Sequence, residues 1–100
     1  MHARLSTIQM DPSKLDEAVA RFEEEDLSQL QQLDGFRGLT MLVDRSNGKL
    51  VGTAYWDSAE QMAASEDTVN QIRQRVADTG GASEPPQVER FEVAIDTFVR

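Results

Sequence analysis

Apolar residues recur at two spacings along the chain, and the order of these spacings predicts four strands and two helices. Two-residue alternation, or an apolar run bounded by turn residues, predicts strands over four segments. These are Ala3–Met10, Phe36–Asp44, Leu50–Trp56 and Val88–Ile95. Apolar residues three and four apart predict a helix after the first strand and another after the third. The element order is therefore β-α-β-β-α-β.

Turn and capping residues bound the two predicted helices. Asp11-Pro12 is typical of a helix start, and Asp34-Gly35 of a helix end. Ser58 with Gln61 three residues later predicts the second helix start, and Gly80-Gly81 predicts its end after Thr79. The residues expected on the buried sides are Leu15, Ala18, Val19 and Phe22 in the first helix, and Met62, Val69, Ile72 and Val76 in the second. The acidic run 23–26 is either a solvated helix face or a break.

The second and third strands are joined by a short segment containing Asn47-Gly48. Asn-Gly between two strand-like runs predicts a hairpin with a type I′ turn, in which both central residues have positive φ. On the returning strand, Gly52 and Ala54 leave room for something bulky to approach one face.

The element order is that of the split βαβ, or ferredoxin-like, α+β fold, with one domain spanning residues 1–100. Right-handed crossovers place both helices on one face of a four-stranded antiparallel sheet. Apolar residues nevertheless lie on both faces, and the tail 96–100 is apolar enough to continue strand pairing. The sequence therefore predicts a homodimer that packs sheet against sheet. The alternative is a bare face polar enough to remain solvated.

Charge and composition exclude several classes of function. Eighteen acidic and ten basic residues give a net charge of −8, which argues against binding nucleic acid or an anionic membrane. Cysteine is absent and His2 is the sole histidine, which excludes thiolate chemistry and His/Cys metal sites but leaves a carboxylate site for a hard cation open. Neither a membrane span nor a signal peptide is predicted, so a cytoplasmic location is expected.

The stretch GFRGLTMLVDRSNGKLVGTAYWDSAEQMAAS resembles the antibiotic biosynthesis monooxygenase-like (ABM) domains. The matching features are Gly35-Phe36 at the start of a strand, a hairpin, Trp56 at the end of the next strand, and an Asp57-Ser58 cap before an Ala-rich helix. The resemblance implies a dimeric α+β barrel, which agrees with the prediction from the bare face. Some members of that family oxidise aromatic precursors with O2 and no metal or flavin. Others degrade haem.

The features of the haem-degrading branch are only partly present. Trp56 matches its strand-closing tryptophan. Ser65 and Arg75 lie near the positions of that branch's second tryptophan and haem-ligating histidine, and the first strand lacks its asparagine. Haem degradation is therefore disfavoured, and no cofactor or metal is expected.

Four residues are the candidates for a site: His2, Tyr55, Trp56 and Arg90. Trp56 and Tyr55 could stack on an aromatic ligand, although Trp56 is equally suited to anchoring the core. His2 could act as a general base, or fray with the terminus. Arg90, like Arg4 and Arg37, is a strand arginine that could bind a carboxylate or phenolate, or form an inter-subunit ion pair.

Two functions follow from the fold resemblance. The first is a cofactor-independent monooxygenase acting on a small aromatic substrate. The alternative is a non-enzymatic module that binds a small ligand or a protein partner on the same dimeric fold.

Overall fold

The computed structural model describes residues 1–98 and has the predicted ferredoxin-like α+β architecture. Its sheet is antiparallel throughout, with strand order β2-β3-β1-β4, so that β1 and β3 lie at the centre. The strands are β1 (His2–Gln9), β2 (Phe36–Asp44), β3 (Lys49–Trp56) and β4 (Gln87–Glu92). The helices cover one face of this sheet, as the sequence predicts.

The first helical segment, residues 12–31, is continuous and contains 3-10, α and π geometry. A 3-10 turn at Pro12–Lys14 leads into α1 (Leu15–Arg21), and a π-helical turn at Phe22–Asp26 separates α1 from α2 (Leu27–Gln31). Asp11 caps the start, since its side chain accepts a hydrogen bond from the Ser13 N–H at 2.9 Å. The acidic run 23–26 is thus neither a plain solvated face nor a break, because the π turn exposes residues 23–25 and buries Asp26.

The second helical segment consists of two helices, whereas the sequence pattern predicts one. Helix α3 (Ala59–Ala64) begins at Ser58, whose hydroxyl oxygen accepts a hydrogen bond from the Gln61 N–H at 3.1 Å. The chain then turns at Ser65, and α4 (Glu66–Thr79) follows. The prediction of an unbroken helix was wrong, because Ser65 and the groups beside it contact the sheet.

The core lies between the covered face of the sheet and the helices. Trp56 is completely buried there, and the apolar side predicted for each helix is confirmed in position. The buried apolar residues are Ile8, Met10, Leu15, Ala18, Phe22, Leu30, Leu50, Ala54, Trp56, Met62, Ile72, Val76 and Ala77. Two charged side chains of this layer are also buried, Arg4 and Arg73.

The opposite face of the sheet is apolar, and helices do not cover it. Strand register places Leu42 opposite Val51, and Tyr55 opposite Ala3, which in turn pairs with Phe91. Leu42 is 60% exposed and Phe91 is 51% exposed. We refer to Leu5, Leu42, Val51, Tyr55 and Phe91 as the open face.

Two connections depend on glycine, and both differ in part from their predictions. Gly35 has the predicted positive φ, +82°, but it does not end the helix, because α2 already ends at Gln31 with Gln32 as its C-cap; Gly35 lies in the turn that leads into β2. Gly48 has a φ of +78°, but Asn47 does not have a positive φ. The predicted type I′ turn is therefore wrong. The loop between the paired residues Asp44 and Lys49 has four residues. The Asp44 carboxylate accepts hydrogen bonds from the N–H and the hydroxyl of Ser46. This local hydrogen bonding favours a turn with negative φ at the residues before Gly48.

The last strand is shorter than its sequence pattern indicates. Strand β4 ends at Glu92, and the backbone N–H of Val93 donates to the Met1 carbonyl at 2.9 Å without continuing the ladder. In the predicted pairing tail 96–100, residues 96–98 are not in a strand, and residues 99 and 100 lie outside the described part of the chain. No helix within residues 1–98 is long and apolar enough to cross a membrane.

Replacing Arg75 by alanine is expected to destabilise the fold by about 1–3 kcal/mol, because it leaves the buried Asp26 carboxylate without its cation. The Arg75 guanidinium now donates to Asp26 at 2.7 and 3.2 Å. The measurement is the free energy of unfolding in urea. Arg45→Ala is the matched control, since Arg45 pairs with Asp16 where both side chains are exposed, and should cost less than about 1 kcal/mol. Equal effects would contradict the prediction.

Candidate functional site

A small cleft lies between the covered face of the sheet and the helices. Its volume is about 60 Å³, room for roughly four water molecules at about 15 Å³ each. Most of its walls are apolar, and its polar lining comes from Arg4, Ser6 and Arg73. The apolar lining residues are Ile8, Phe22, Leu39, Met41, Leu50, Gly52, Ala54, Ile72 and Val76. An apolar cleft with a few converging polar groups is the usual form of a small-molecule site.

Gly52 provides much of the open space in this cleft. A Cβ atom added at Gly52 would have no other atom within 4 Å. Gly52 pairs with Ser6 on one side and Met41 on the other, so all three residues share the covered face. The room expected from Gly52 and Ala54 is therefore present, on the helix side of the sheet.

Arg4 is the most deeply buried charged side chain described, with 1% of its surface exposed. Its Nη2 donates to the Met62 carbonyl at 2.7 Å, to the Ser65 hydroxyl at 3.2 Å and to a Glu66 carboxylate oxygen at 2.7 Å. The guanidinium also lies over the Trp56 ring, 5.7 Å from its centroid. Arg4 lies on the same face of the sheet as the buried Leu50 and Ala54. The alternation of side chains along the strand therefore places a cation in the core.

The turn at Ser65 explains how the protein accommodates this cation. The last turn of α3 has carbonyl groups that can accept a further hydrogen bond, and the Met62 carbonyl there also accepts one from the Ser65 N–H at 3.2 Å. Met62 offers its carbonyl to both Arg4 and the Ser65 hydroxyl, and Glu66 is the first residue of α4, where a negative charge is favourable. The break between α3 and α4 therefore supplies three acceptors to one buried guanidinium.

Arg73 is the second buried arginine, with 7% of its surface exposed. Its Nε donates to the Ser6 hydroxyl at 3.0 Å, and its Nη1 donates to the Asn70 side-chain oxygen at 3.2 Å. Ser6 lies two residues after Arg4 on the same face of β1, so Ser6 connects the two arginines. Burial lowers the pKa of Arg73, and the positive charge of Arg4 lowers it further.

Glu66 links the buried arginines to the edge of the sheet. Its two carboxylate oxygens accept hydrogen bonds from Arg4 and from Arg90 on β4. Burial lowers the pKa of Arg4, although the charge of Glu66 opposes this. For Glu66, burial acts to raise the pKa, but the hydrogen bonds and charges of Arg90 and Arg4 outweigh it and leave the pKa below its ordinary value. Glu66 is therefore a carboxylate at neutral pH.

The structure separates the four residues predicted as site candidates. Arg90 forms an ion pair with Glu66, the carboxylate that also pairs with the buried Arg4. Trp56 is on the covered face but does not line the cleft, and it packs edge-on against Phe36 at a centroid distance of 5.6 Å. This packing corresponds to the core-anchor interpretation of Trp56. Tyr55 lies on the open face, where its ring meets Phe98 edge-on at 5.2 Å. His2 lies beside Trp56 on the covered face, outside the cleft.

Sequence reasoning missed Arg73 and Glu66 as site residues and gave Arg4 only as one of three strand arginines. A signal for Arg4 was available, since it lies two residues from Ser6 and four from Ile8 on one strand face. No local signal marks Arg73, which occupies an ordinary helical position. Among residues 1–98, no group of three or more His, Asp or Glu side chains is placed to hold a metal ion.

The π-helical turn adjoins the cleft. Phe22 and Val76 line the cleft. The same two side chains also line a separate groove of about 180 Å³, beside Asp26 and Arg75. These two apolar side chains therefore form the wall between the cleft and that groove. Single π-helical turns occur often at functional sites.

Curated proteins that are similar in sequence are longer than this chain. Two uncharacterised proteins of Mycobacterium tuberculosis are 37% identical over 94 residues and 34% identical over 95 residues. The matches cover 94% and 95% of this chain but 41% and 39% of the relatives, so the chain spans about two fifths of their length. No family model matches the sequence.

Solved structures show the same fold at low sequence identity. The monooxygenase from the gene ActVA-Orf6 of Streptomyces coelicolor, in complex with nanaomycin D, has a TM-score of 0.79 at 14% identity, over 99% of this chain and 92% of its own. The heme-degrader MhuD of Mycobacterium tuberculosis, with two hemes in its active site, has a TM-score of 0.73 at 18% identity, over 98% of this chain and 100% of its own. A dimeric ferredoxin-like protein from an uncultured marine organism has a TM-score of 0.69 at 14% identity, over 99% and 91%.

These comparisons confirm the fold expected from the sequence resemblance. The chain has an ABM-like fold, and proteins bearing the name antibiotic biosynthesis monooxygenase are among its structural neighbours. A monooxygenase and a heme-degrader share this fold, so the fold alone does not select one activity.

The stability of the protein is expected to fall in acid in a way that depends on Glu66. Because folding lowers the pKa of Glu66, its ionised form stabilises the fold above the unfolded pKa of about 4.3, and this contribution is lost as the pH falls through the lower, folded pKa. Unfolding free energies measured between pH 7 and pH 3 should therefore drop less steeply for Glu66→Gln than for the wild type. Glu23→Gln, on the exposed part of the π turn, is the control and should follow the wild-type curve.

Proposed function

We propose that residues 1–100 form one ABM-like domain that binds a small aromatic molecule in the cleft and oxidises it with O2, without a metal or organic cofactor. The observation that carries this proposal is the cleft itself, an apolar space beside Gly52 with two guanidinium groups in its wall. The nanaomycin D complex of the Streptomyces coelicolor monooxygenase supports an aromatic ligand for this fold. The 60 Å³ cleft is smaller than such a ligand, so binding requires Phe22 and the π turn to move outwards.

The proposed reaction requires an electron-rich phenol as substrate. An ionised phenol transfers electrons to O2, one oxygen atom becomes a new ring carbonyl, and the other leaves as water. The phenol C–H and O–H bonds at the reacting positions supply the hydrogens of that water, and the ring becomes a quinone. The role of the protein in this reaction is to bind the ring, favour the phenolate and exclude bulk water from the cleft.

A second candidate function is ligand binding without turnover. The residues that line the cleft in the described part of the chain include neither a carboxylate nor an imidazole, so a conventional general base is not in contact with the ligand space. His2, the predicted general base, lies outside the cleft. A binding domain needs the cleft and the arginines but no base.

We also propose that two copies of the chain associate through the open face. The exposed apolar side chains Leu42 and Phe91 lie on opposite edge strands of this face, with Val51 on a central strand between them. Large apolar side chains this exposed on an uncovered sheet face favour contact with a partner. The dimeric ferredoxin-like protein from the marine organism shows that a protein of this fold self-associates.

Filling the cleft is expected to abolish ligand binding and O2 uptake without unfolding the protein. Gly52→Leu places a side chain into the open space beside Met41, whereas Ala63→Leu adds the same bulk on the exposed surface of α3. The measurements are oxygen consumption with a panel of dihydroxy-aromatic compounds, and calorimetric binding of the same compounds. Binding that survives in Gly52→Leu would contradict the site. Binding without oxygen consumption in the wild type would favour the non-catalytic function.

Charging the open face is expected to separate the two copies. Val51→Glu introduces a carboxylate at the centre of the proposed interface, where burial of an unpaired charge is costly. Gln71→Glu, on the exposed side of α4, adds the same charge elsewhere. Sedimentation velocity at micromolar concentration should give a dimer for the wild type and Gln71→Glu, and a monomer for Val51→Glu. A monomeric wild type would contradict the proposed assembly.

A further inference from the structure

Three nitrogen atoms of the two buried arginines have no hydrogen-bond acceptor among residues 1–98. These are Nε and Nη1 of Arg4 and Nη2 of Arg73. Buried polar groups are almost always hydrogen-bonded, and an orphaned charged donor is costly. Both arginines line the same cleft, so the unpaired donors of two cations belong to residues that border one apolar space.

The local charge is also unbalanced. Arg4, Arg73 and Arg90 place three positive charges around the single carboxylate of Glu66. The cluster therefore carries a net charge of +2 within a chain whose net charge is −8. Water in the cleft would satisfy hydrogen bonds, but it would not neutralise the charge.

A purely structural role does not account for this arrangement. To anchor α3 and α4 to the sheet, Arg4 needs only the three acceptors that its Nη2 contacts. Its Nε and Nη1 have no part in that anchoring. Arg73 reaches the sheet through a single hydrogen bond to Ser6, which leaves its Nη2 without an acceptor. A second buried cation beside the first raises the cost of burial for both.

We infer that Arg4 and Arg73 form an oxyanion-binding site in the cleft, and that the natural ligand is a small aromatic monoanion whose phenolate or carboxylate oxygen accepts hydrogen bonds from both guanidinium groups. This inference rests on the proposed function, because it assigns the chemistry of the ligand in the same cleft. Charge-assisted hydrogen bonds in a space removed from water supply the selectivity. Adjacent cations lower the pKa of the phenol, so the phenol can bind as the phenolate after its proton has passed to bulk water, without a separate base in the cleft.

The test compares ligands that differ in charge but little in shape. Benzoate and benzamide are titrated into the wild-type protein by calorimetry, and 4-nitrophenol is titrated with pH in the presence and absence of excess protein. Benzoate should bind about ten-fold or more tightly than benzamide. The absorbance change that marks ionisation of 4-nitrophenol should shift to lower pH by about one unit when it is bound.

Single substitutions assign the effect to the two arginines. Arg4→Met and Arg73→Met should each reduce the preference for benzoate by about ten-fold and return the 4-nitrophenol titration towards that of the free compound. Glu66→Gln should strengthen benzoate binding, because it removes the carboxylate that competes for Arg4. Arg45→Met, in the exposed loop between β2 and β3, is the matched control and should change neither measurement.

Thermal unfolding identifies variants that fail to fold, and Arg73→Met tests the inference if Arg4→Met is unstable. Equal binding of benzoate and benzamide would overturn the oxyanion site but leave an aromatic cleft intact. Absence of binding by every compound would overturn the proposed function as well. Full displacement of benzoate by chloride at equal concentration would show a site for any anion, and would overturn the assignment to an aromatic ligand.

Discussion

A guanidinium group on the central strand of the sheet has to be accommodated inside the protein, and this requirement shapes the helical layer above it. Removal of a cation from water costs several kcal/mol unless it is paired and hydrogen-bonded. Arg4 obtains its acceptors from the end of α3, the turn at Ser65 and the start of α4. An unbroken helix over the same residues would keep its backbone carbonyls for internal hydrogen bonds. The break is therefore the local geometry that makes burial of Arg4 tolerable.

The fold was predictable because its signals are local. The spacing of Leu15, Ala18 and Phe22 determines a helix whatever lies nearby, although this helical segment ends at Gln31 and not at the predicted Gly35. The π turn and the break at Ser65 were not predictable from such patterns. Each depends on a contact with a distant residue, Asp26 with Arg75 and Ser65 with Arg4. The turn type at Asn47-Gly48 was wrong for a related reason, because the Asp44 side chain hydrogen-bonds to Ser46 and favours a different turn.

The candidate site was harder to predict than the fold because its members come from three elements. Trp56 and His2 attract attention as single residues, since one is a large aromatic and the other titrates near neutrality. The structure places both of them beside the cleft rather than in it. Arg73 has no distinguishing neighbours in the sequence, and only the packing of α4 on β1 brings it to Ser6. Residue types predict chemistry well, but tertiary packing decides which of them share a space.

The two faces of the sheet depart from the usual arrangement in opposite ways. The covered face buries two arginines with donors unused, and the open face leaves Leu42 and Phe91 exposed. Each departure raises the free energy of an isolated, unliganded protomer. On the proposals made above, a negatively charged ligand would lower this free energy on one face, and a second copy of the chain would lower it on the other. The two central strands, β1 and β3, contribute side chains to both faces, so one sheet carries both departures.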